Sequence, residues 1–295
     1  MRYRLRHLTH FTYERPVSFA RCNLRLKPIV WEGQTLISHG LSSSPYGDFA
    51  PAPGGNSLVN VTRLVLSGAI NNLDIISTAE VEVTRWVPQL RDDDPSVAEV
   101  GAAARASNDV SDLSPANFLY PSPLIAQDAA IGDWCRTWLS PDRPASLAAL
   151  DLALAIQQEF TFDPDATLTE TLPAEAFAKR AGVCQDFAQI MISGLRAAGI
   201  PAAYASGYIR TIPPPGEARL QGADAMHGWV LAWCGVAQGW IGFDPTNGIL
   251  MAGDHIIVAV GRDYLDIAPV DGIFTGYGAQ EIRVGVDVEP VEATA

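Results

Sequence analysis

The sequence predicts an α+β protein, and three observations lead there. Its first third is patterned as strands, its middle as helices, and its last third as strands again. Single strands do not alternate with single helices, as a doubly wound parallel sheet requires, and there is no internal repeat. The chain has 295 residues, 48% hydrophobic and 18% charged, which is long enough for two cores and too apolar for wholesale disorder. The acidic, proline-bearing stretch Asp92-Asp93-Asp94-Pro95 marks the expected boundary, with a small all-β unit at residues 1–90 and a larger unit at 91–295.

Each element has its own signal. Residues 1–13 alternate, with Tyr3, Leu5, Phe11 and Tyr13 on one parity and Arg2, Arg4 and Arg6 on the other. Extended runs follow at 23–27, 35–42, 57–66 and 74–86, parted by turn-rich stretches such as Ser44-Pro45-Tyr46-Gly47-Asp48 and Pro53-Gly54-Gly55-Asn56. Such runs predict a small antiparallel sheet or sandwich. Helical apolar spacing covers 95–106, 123–139 and 145–160, two of these opening on proline near the first turn. A short helix at 173–180 is broken by Gly182. The next, at 183–198, stops at Gly199-Ile200-Pro201, a glycine followed by proline. Strands are then predicted at 202–211, 225–234, 240–244, 256–260 and 281–288.

Composition removes several function classes. Twenty basic against thirty-three acidic residues give a net charge of −13 with no Lys/Arg cluster, so nucleic acid and anionic membrane are not expected partners. The basic N-terminus has no apolar segment behind it, and the most apolar run, 145–156, is too short for a membrane span and is cut by Asp151. The expected location is the cytoplasm, with reduced thiols. Cys22, Cys135, Cys184 and Cys234 lie far apart with no C-x-x-C pair, which excludes a disulfide scaffold and a Cys-rich zinc module by spacing.

Cys184 is singled out by position. It falls in the first turn of the helix after Gly182, where unpaired N–H groups and the helix dipole favour an anion. Such placement activates a thiol and offers the cysteine's own N–H to an oxyanion. It also shares the helix's apolar stripe with Phe187, Ala188, Met191 and Leu195, which equally fits a buried structural cysteine. A nucleophilic thiol needs a base and an orienter. His227 shares one face of its strand with Trp229, Leu231 and Trp233, and the neighbouring strand ends at Asp244-Pro245. A four-residue loop at 235–238 places Asp244 opposite Trp229, a diagonal same-face neighbour of His227. A two-residue turn places it directly opposite His227, and an odd loop without a bulge turns it to the wrong face. Spacing alone leaves these open. A zinc set of Cys184, His227, Cys234 and Asp244 is disfavoured because Cys234 points to the face opposite His227 and no close pair starts a chelate.

At this point the motifs Ala181-Gly182-Val183-Cys184-Gln185-Asp186-Phe187-Ala188 and Gly199-Ile200-Pro201-Ala202 resemble the nucleophile helix of bacterial transglutaminase-like proteins. His227-Gly228-Trp229 and the segment Gly239-Trp240-Ile241-Gly242-Phe243-Asp244-Pro245-Thr246-Asn247-Gly248 are similar to that family's histidine and aspartate strands. The tail Ile256-Ile257-Val258-Ala259-Val260-Gly261-Arg262-Asp263-Tyr264 and the strand-rich opening resemble the cysteine peptidase branch with an N-terminal β-domain. The resemblance implies a papain-like core with Cys184 as nucleophile, His227 as general base and acid, and Asp244 as orienter. It implies thioester formation from an amide, then transfer to water or to an amine, with no cofactor or metal required. A peptide or protein is the expected substrate partner.

The chain departs from the branch at several positions. Gln185 and Gln189 stand where Arg and His are common, Gly228 where Ala is usual, and Ala203 where Arg is common. The triad positions are untouched, so the departures bear on substrate choice. Trp229 and Trp240 share the triad face under the even-loop register and are candidate substrate-binding walls, although aromatic core is the simpler reading. Asp186 is expected to serve the helix N-terminus, and His255 to be structural. Three functions compete: hydrolysis as a peptidase or amidase, which is favoured, cross-linking as a transglutaminase, and a non-catalytic interaction module on the same fold. The β-unit could position a macromolecular substrate or mediate homo-oligomerisation through its edges.

Overall fold

Residues 1–210 and 226–291 are described by the computed structural model. The opening alternation does not stop at Tyr13. Strand β1 (Arg2–Leu24) runs on from the first expected run into the start of the second, of which 25–27 stay outside it, burying Tyr3, Leu5, Phe11 and Tyr13 and exposing Arg2, Arg4 and Arg6. Its pairing with β4 (Thr62–Val83) shifts register between Thr12, Val17 and Phe19. Pro16 lies inside that shift, where a residue without an N–H leaves no gap in the ladder. β2 (Gln34–Ser44) and the short β3 (Asp48–Pro51) pair with the far edge of β4.

The helical part follows. Helix α1 (Val97–Arg105) starts two residues after Pro95, because Ser96 forms a capping box with Glu99. Helix α2 (Ala129–Cys135) is shorter than 123–139, since Asp128 caps it by accepting the Ile131 N–H at 2.9 Å. Helix α3 (Ala145–Glu159) is followed by β5 (Thr161–Phe162), α4 (Pro173–Lys179), β6 (Ala181–Gly182) and α5 (Cys184–Ala197), with β5 and β6 paired in parallel. Helix α5 ends as its sequence predicts: Gly199 takes φ +84° and the Ile200 N–H returns to Leu195 O at 2.9 Å.

A second antiparallel sheet carries β7 (Ala202–Ile209), β8 (Met226–Trp233), β9 (Trp240–Asp244), β10 (Ile249–Leu250) and β11 (His255–Gly261), in the order β10-β9-β8-β7-β11. Thr211 and Ala225, the expected ends of two of these strands, lie outside the described residues. Helix α5 packs on one face through Phe187, Ala188, Met191 and Leu195, against Tyr204, Val230 and Phe243. The other face buries Trp229, Leu231 and Ala205 with Met251 and with Ile29 and Leu58 of the N-terminal region.

After α6 (Tyr264–Ile267) the chain goes back to the first sheet. Strands β12 (Val270–Thr275) and β13 (Gln280–Val291) pair end to end along the free edge of β1. The sheet expected from residues 1–90 therefore takes its last two strands from residues assigned above to the second unit. The reason is burial: Val286 and Val288 complete a cluster with Tyr3, Leu5, Val81, Tyr208 and Ile256, which joins the two sheets. Strand β12, with no fully buried residue and without clean alternation, left no signal in the sequence. No helix among the described residues is long and apolar enough to cross a membrane.

Candidate active site

Cys184 is the first residue of α5, and the local sequence explains why the helix starts there. Val183 is extended (φ −116°, ψ −179°) and its N–H donates to Asp186 Oδ2 at 2.9 Å. The same oxygen accepts the Thr167 hydroxyl at 2.6 Å, so Asp186 serves the helix start, as expected. Gly182 makes this closure possible, because a Cβ there would sit 2.5 Å from Asp186 Oδ2. Burial raises the Asp186 pKa, and the Thr167 and Val183 hydrogen bonds oppose that rise. Cys184 is half-buried, whereas Cys22, Cys135 and Cys234 are buried.

The strand register that sequence left open is the four-residue-loop one. Trp233 pairs with Trp240 and Val230 with Phe243, and the Cys234 N–H closes the loop on Gly239 O at 2.8 Å. Continued by one residue, this register sets Asp244 opposite Trp229 and diagonal to His227. The side chains meet: His227 Nε2 donates to Asp244 Oδ2 at 2.8 Å. With Nε2 so engaged, the other ring nitrogen is the one left to face the Cys184 thiol, which together with Asp244 raises the pKa of this imidazole.

Asp244 accepts more than His227. Its Oδ1 takes the backbone N–H groups of Thr246 (3.0 Å) and Asn247 (3.1 Å), a turn closed by the side chain of its first residue. Its Oδ2 also takes Asn247 Nδ2 at 2.7 Å and His255 Nε2 at 3.3 Å. Burial would push this fully buried carboxyl up, but the His227, His255 and Asn247 hydrogen bonds outweigh it and hold it well below the carboxylate range. Burial likewise pushes the His227 imidazole down, yet its hydrogen bonds to Asp244 and Cys184, with their charge, raise it to about 10.

The two tryptophans correct the expectation. Trp229 is 0% exposed and stacks on His227 at 6.0 Å between ring centroids, so it backs the imidazole and offers no surface to a ligand. Trp240 lies at the far end of β9, donating its indole N–H to Leu113 O at 3.2 Å and meeting Phe118 edge-on. The cavity it lines contains none of Cys184, His227 and Asp244. The aromatic groups that feel the thiol are instead Tyr204 and Tyr264, both raised in pKa by burial first and then by the charge of Cys184. Tyr204 reaches this place because Gly228 has no side chain: a Cβ there would stand 2.1 Å from the Tyr204 hydroxyl. Gln185 donates to Thr169 O at 2.7 Å, and Gln189 is fully buried. Asn247 was legible as the turn residue after Asp-Pro; nothing in the sequence pointed from His255 to Asp244.

The arrangement can deprotonate a thiol, hold the resulting imidazolium against a fixed carboxylate, and return its proton to a leaving group. The pattern of the transglutaminase-like superfamily matches residues 133–245, which include Cys184, His227 and Asp244, and that of the bacterial transglutaminase-like N-terminal region matches residues 3–82. An uncharacterized protein of Mycobacterium bovis is 34% identical over 302 residues, covering 100% of this chain and 94% of its own length. A protein-glutamine gamma-glutamyltransferase of Pseudomonas aeruginosa is 34% identical over 116 residues, 38% of this chain and 17% of that protein. Among solved structures, the "Putative Cysteine Protease from Cytophaga hutchinsonii" superposes with a TM-score of 0.79 at 20% identity, covering 100% of this chain and 92% of its own, a likeness of fold.

Proposed function

We propose that this chain, which belongs to the transglutaminase-like superfamily, is a cysteine-dependent acyl hydrolase that opens peptide or glutamine-type amides through a thioester on Cys184. The observation that carries the reading is the His227–Asp244 hydrogen bond at 2.8 Å, with the carboxylate buried and the half-buried Cys184 acting on the same imidazole. In this reading the thiol proton passes to His227, the sulfur bonds to the amide carbonyl carbon, and the C–N bond breaks as His227 returns the proton to the departing amine. Water then gives a proton to His227, its oxygen bonds to the acyl carbon, and the thiolate leaves. The Cys184 backbone N–H, at the head of α5, would face the oxyanion in both steps.

A peptide substrate is supported by a cavity that none of Cys184, His227 and Asp244 lines but that residues next to them do. This cavity of about 650 Å³ lies between the first sheet and the core, with Phe11, Phe274 and Ile282 on one side and Met226, Tyr264 and Thr169 on the other. Met226 precedes His227, and Thr169 is held by the residue after Cys184. Its largely apolar lining suits the side chains of an extended acyl donor. The gamma-glutamyltransferase relative favours a second reading, in which an amine replaces water as acceptor.

The test is the rate of iodoacetamide alkylation at each cysteine against pH, read by mass spectrometry in the wild type and in His227→Ala. Rapid modification of Cys184 below pH 7, lost in the variant, is the expected result. A Cys184 that reacts only near pH 8.5 and above, like a free thiol, would refute the reading and favour an interaction module. The acyl product formed from glutamine peptides in the presence of a primary amine, glutamate or the substituted amide, then separates hydrolysis from transfer.

A further inference from the structure

We infer that His255 is a positioning residue for Asp244, held in place by the N-terminal sheet, so that this sheet is part of the reacting machinery. The inference rests on the proposed Cys184 chemistry. His255 Nε2 donates to Asp244 Oδ2, the oxygen that also receives His227. Its other ring nitrogen, Nδ1, accepts the Ala252 N–H at 3.4 Å, which leaves the ring proton on Nε2, aimed at the carboxylate. The ring is 1% exposed and meets the edge of Trp229 at 5.2 Å, and Trp229 in turn stacks on His227. One indole thus spaces two imidazoles around one carboxylate.

The segment carrying His255 is tied down from outside the core. Tyr3 donates its hydroxyl to Gly253 O (3.0 Å) and Asp254 Oδ1 (2.8 Å). Gln34, buried in β2, donates to Ile257 O (2.7 Å) and accepts the Ile257 N–H (2.8 Å), imitating a strand partner. Arg85, just past β4, donates to Ala252 O (3.3 Å) and His255 O (3.0 Å). Three residues of the N-terminal unit therefore fix both ends of the turn that aims His255. The charged and titratable groups around its ring and backbone are Asp244, His227, Asp254, Arg85, Tyr3 and Arg210, the last ion-paired to Asp254 at 2.9 Å. A carboxylate whose Oδ2 is shared among His227, His255 and Asn247 cannot swing about its Cβ–Cγ bond, and its direction sets that of the His227 ring.

The test compares His255→Leu, which removes the donor, with His255→Gln, whose amide nitrogen can replace Nε2. In the full-length protein, Cys184 alkylation is followed from about pH 5.5 to about pH 10 alongside urea unfolding. Expected is a fall of about ten- to a hundredfold in the low-pH rate for Leu, the range seen when an orienting partner of a site histidine is lost, with the rate at high pH kept and the low-pH rate recovered in Gln. Arg85→Met should weaken the low-pH rate in the same direction by about threefold or more. A role in folding alone would move the urea midpoint and leave the pH dependence of Cys184 unchanged. A Leu variant with the wild-type pH profile overturns the inference, as does a folded Gln variant as slow as Leu. A wild type without any low-pH reactivity overturns the Cys184 chemistry and this inference together, so the two failures are told apart by the wild-type curve.

Discussion

Replacing Asp244 by Asn removes a charge and one of two acceptor oxygens while preserving shape. In the folded protein Oδ1 receives two backbone N–H groups and Oδ2 receives three side-chain donors. An asparagine can turn its oxygen to one set only, and its NH2 then faces the other. If the oxygen keeps the backbone turn, the buried His227 and His255 lose their acceptor, which at about 1–3 kcal/mol each amounts to about 2–6 kcal/mol of lost stability. If it keeps the histidines, the part-buried Thr246 and Asn247 N–H groups lose theirs at a smaller cost. If the oxygen keeps the backbone turn, the NH2 opposes His227 and drives its proton to the wrong nitrogen. Loss of the orienting carboxylate then costs about 10²–10⁴ in any step that needs His227 as base. Urea unfolding reads the first effect, and Cys184 alkylation at about pH 6 reads the second. A folded Asp244→Asn protein with wild-type stability and wild-type reactivity at that pH would refute the whole account of the carboxylate.

His227, raised to about 10 by Asp244 and Cys184 against the pull of burial, contributes stability that is complete below its unfolded value of about 6.5 and is lost as pH climbs through its folded value. The urea midpoint should therefore fall across that window and flatten in His227→Ala; an unchanged slope in the variant contradicts the assignment. Asp244 is depressed, so its contribution is present above about 3.9 and lost only in stronger acid. Burial pushes the Cys22 and Cys135 thiols up to about 11 and about 12, and raises Cys234 further. Native alkylation below pH 9 should thus label Cys184 alone, and unfolded protein all four; labelling of a second site in native protein would show that the cores are not closed. Gly228→Ala drives a Cβ to 2.1 Å from the Tyr204 hydroxyl. It should cost about 1–3 kcal/mol, part of which returns with Tyr204→Phe in a double-mutant cycle; strictly additive effects would deny the contact.

Local patterns made much of the protein readable in advance. Gly182 before Cys184, the Gly199–Pro201 stop, the parity of His227 with Trp229, and proline after Asp244 each report on a few neighbouring residues, and each agrees with the structure. Strand periodicity states which face a side chain takes, because alternate residues of a strand point to opposite faces whatever they pair with. It does not state the partner. The loop at 235–238 had three permitted registers, and only the packing of β8 on β9 selects the one that sets Asp244 diagonal to His227. The return of β12 and β13 to β1, more than 240 residues away in sequence, was likewise invisible, because an exposed edge strand carries little apolar alternation. Trp229 could be assigned a face but not a depth; the structure closes it between two histidines and leaves it nothing to bind. His255 is the clearest case. Its approach to Asp244 depends on the turn at 252–255, which residues from the opposite end of the chain hold in place, and no local pattern encodes a contact of that kind. The chain's own order determined which groups could react; where they stand relative to one another came from burial and pairing across the whole fold, because those are the interactions that join residues distant in sequence.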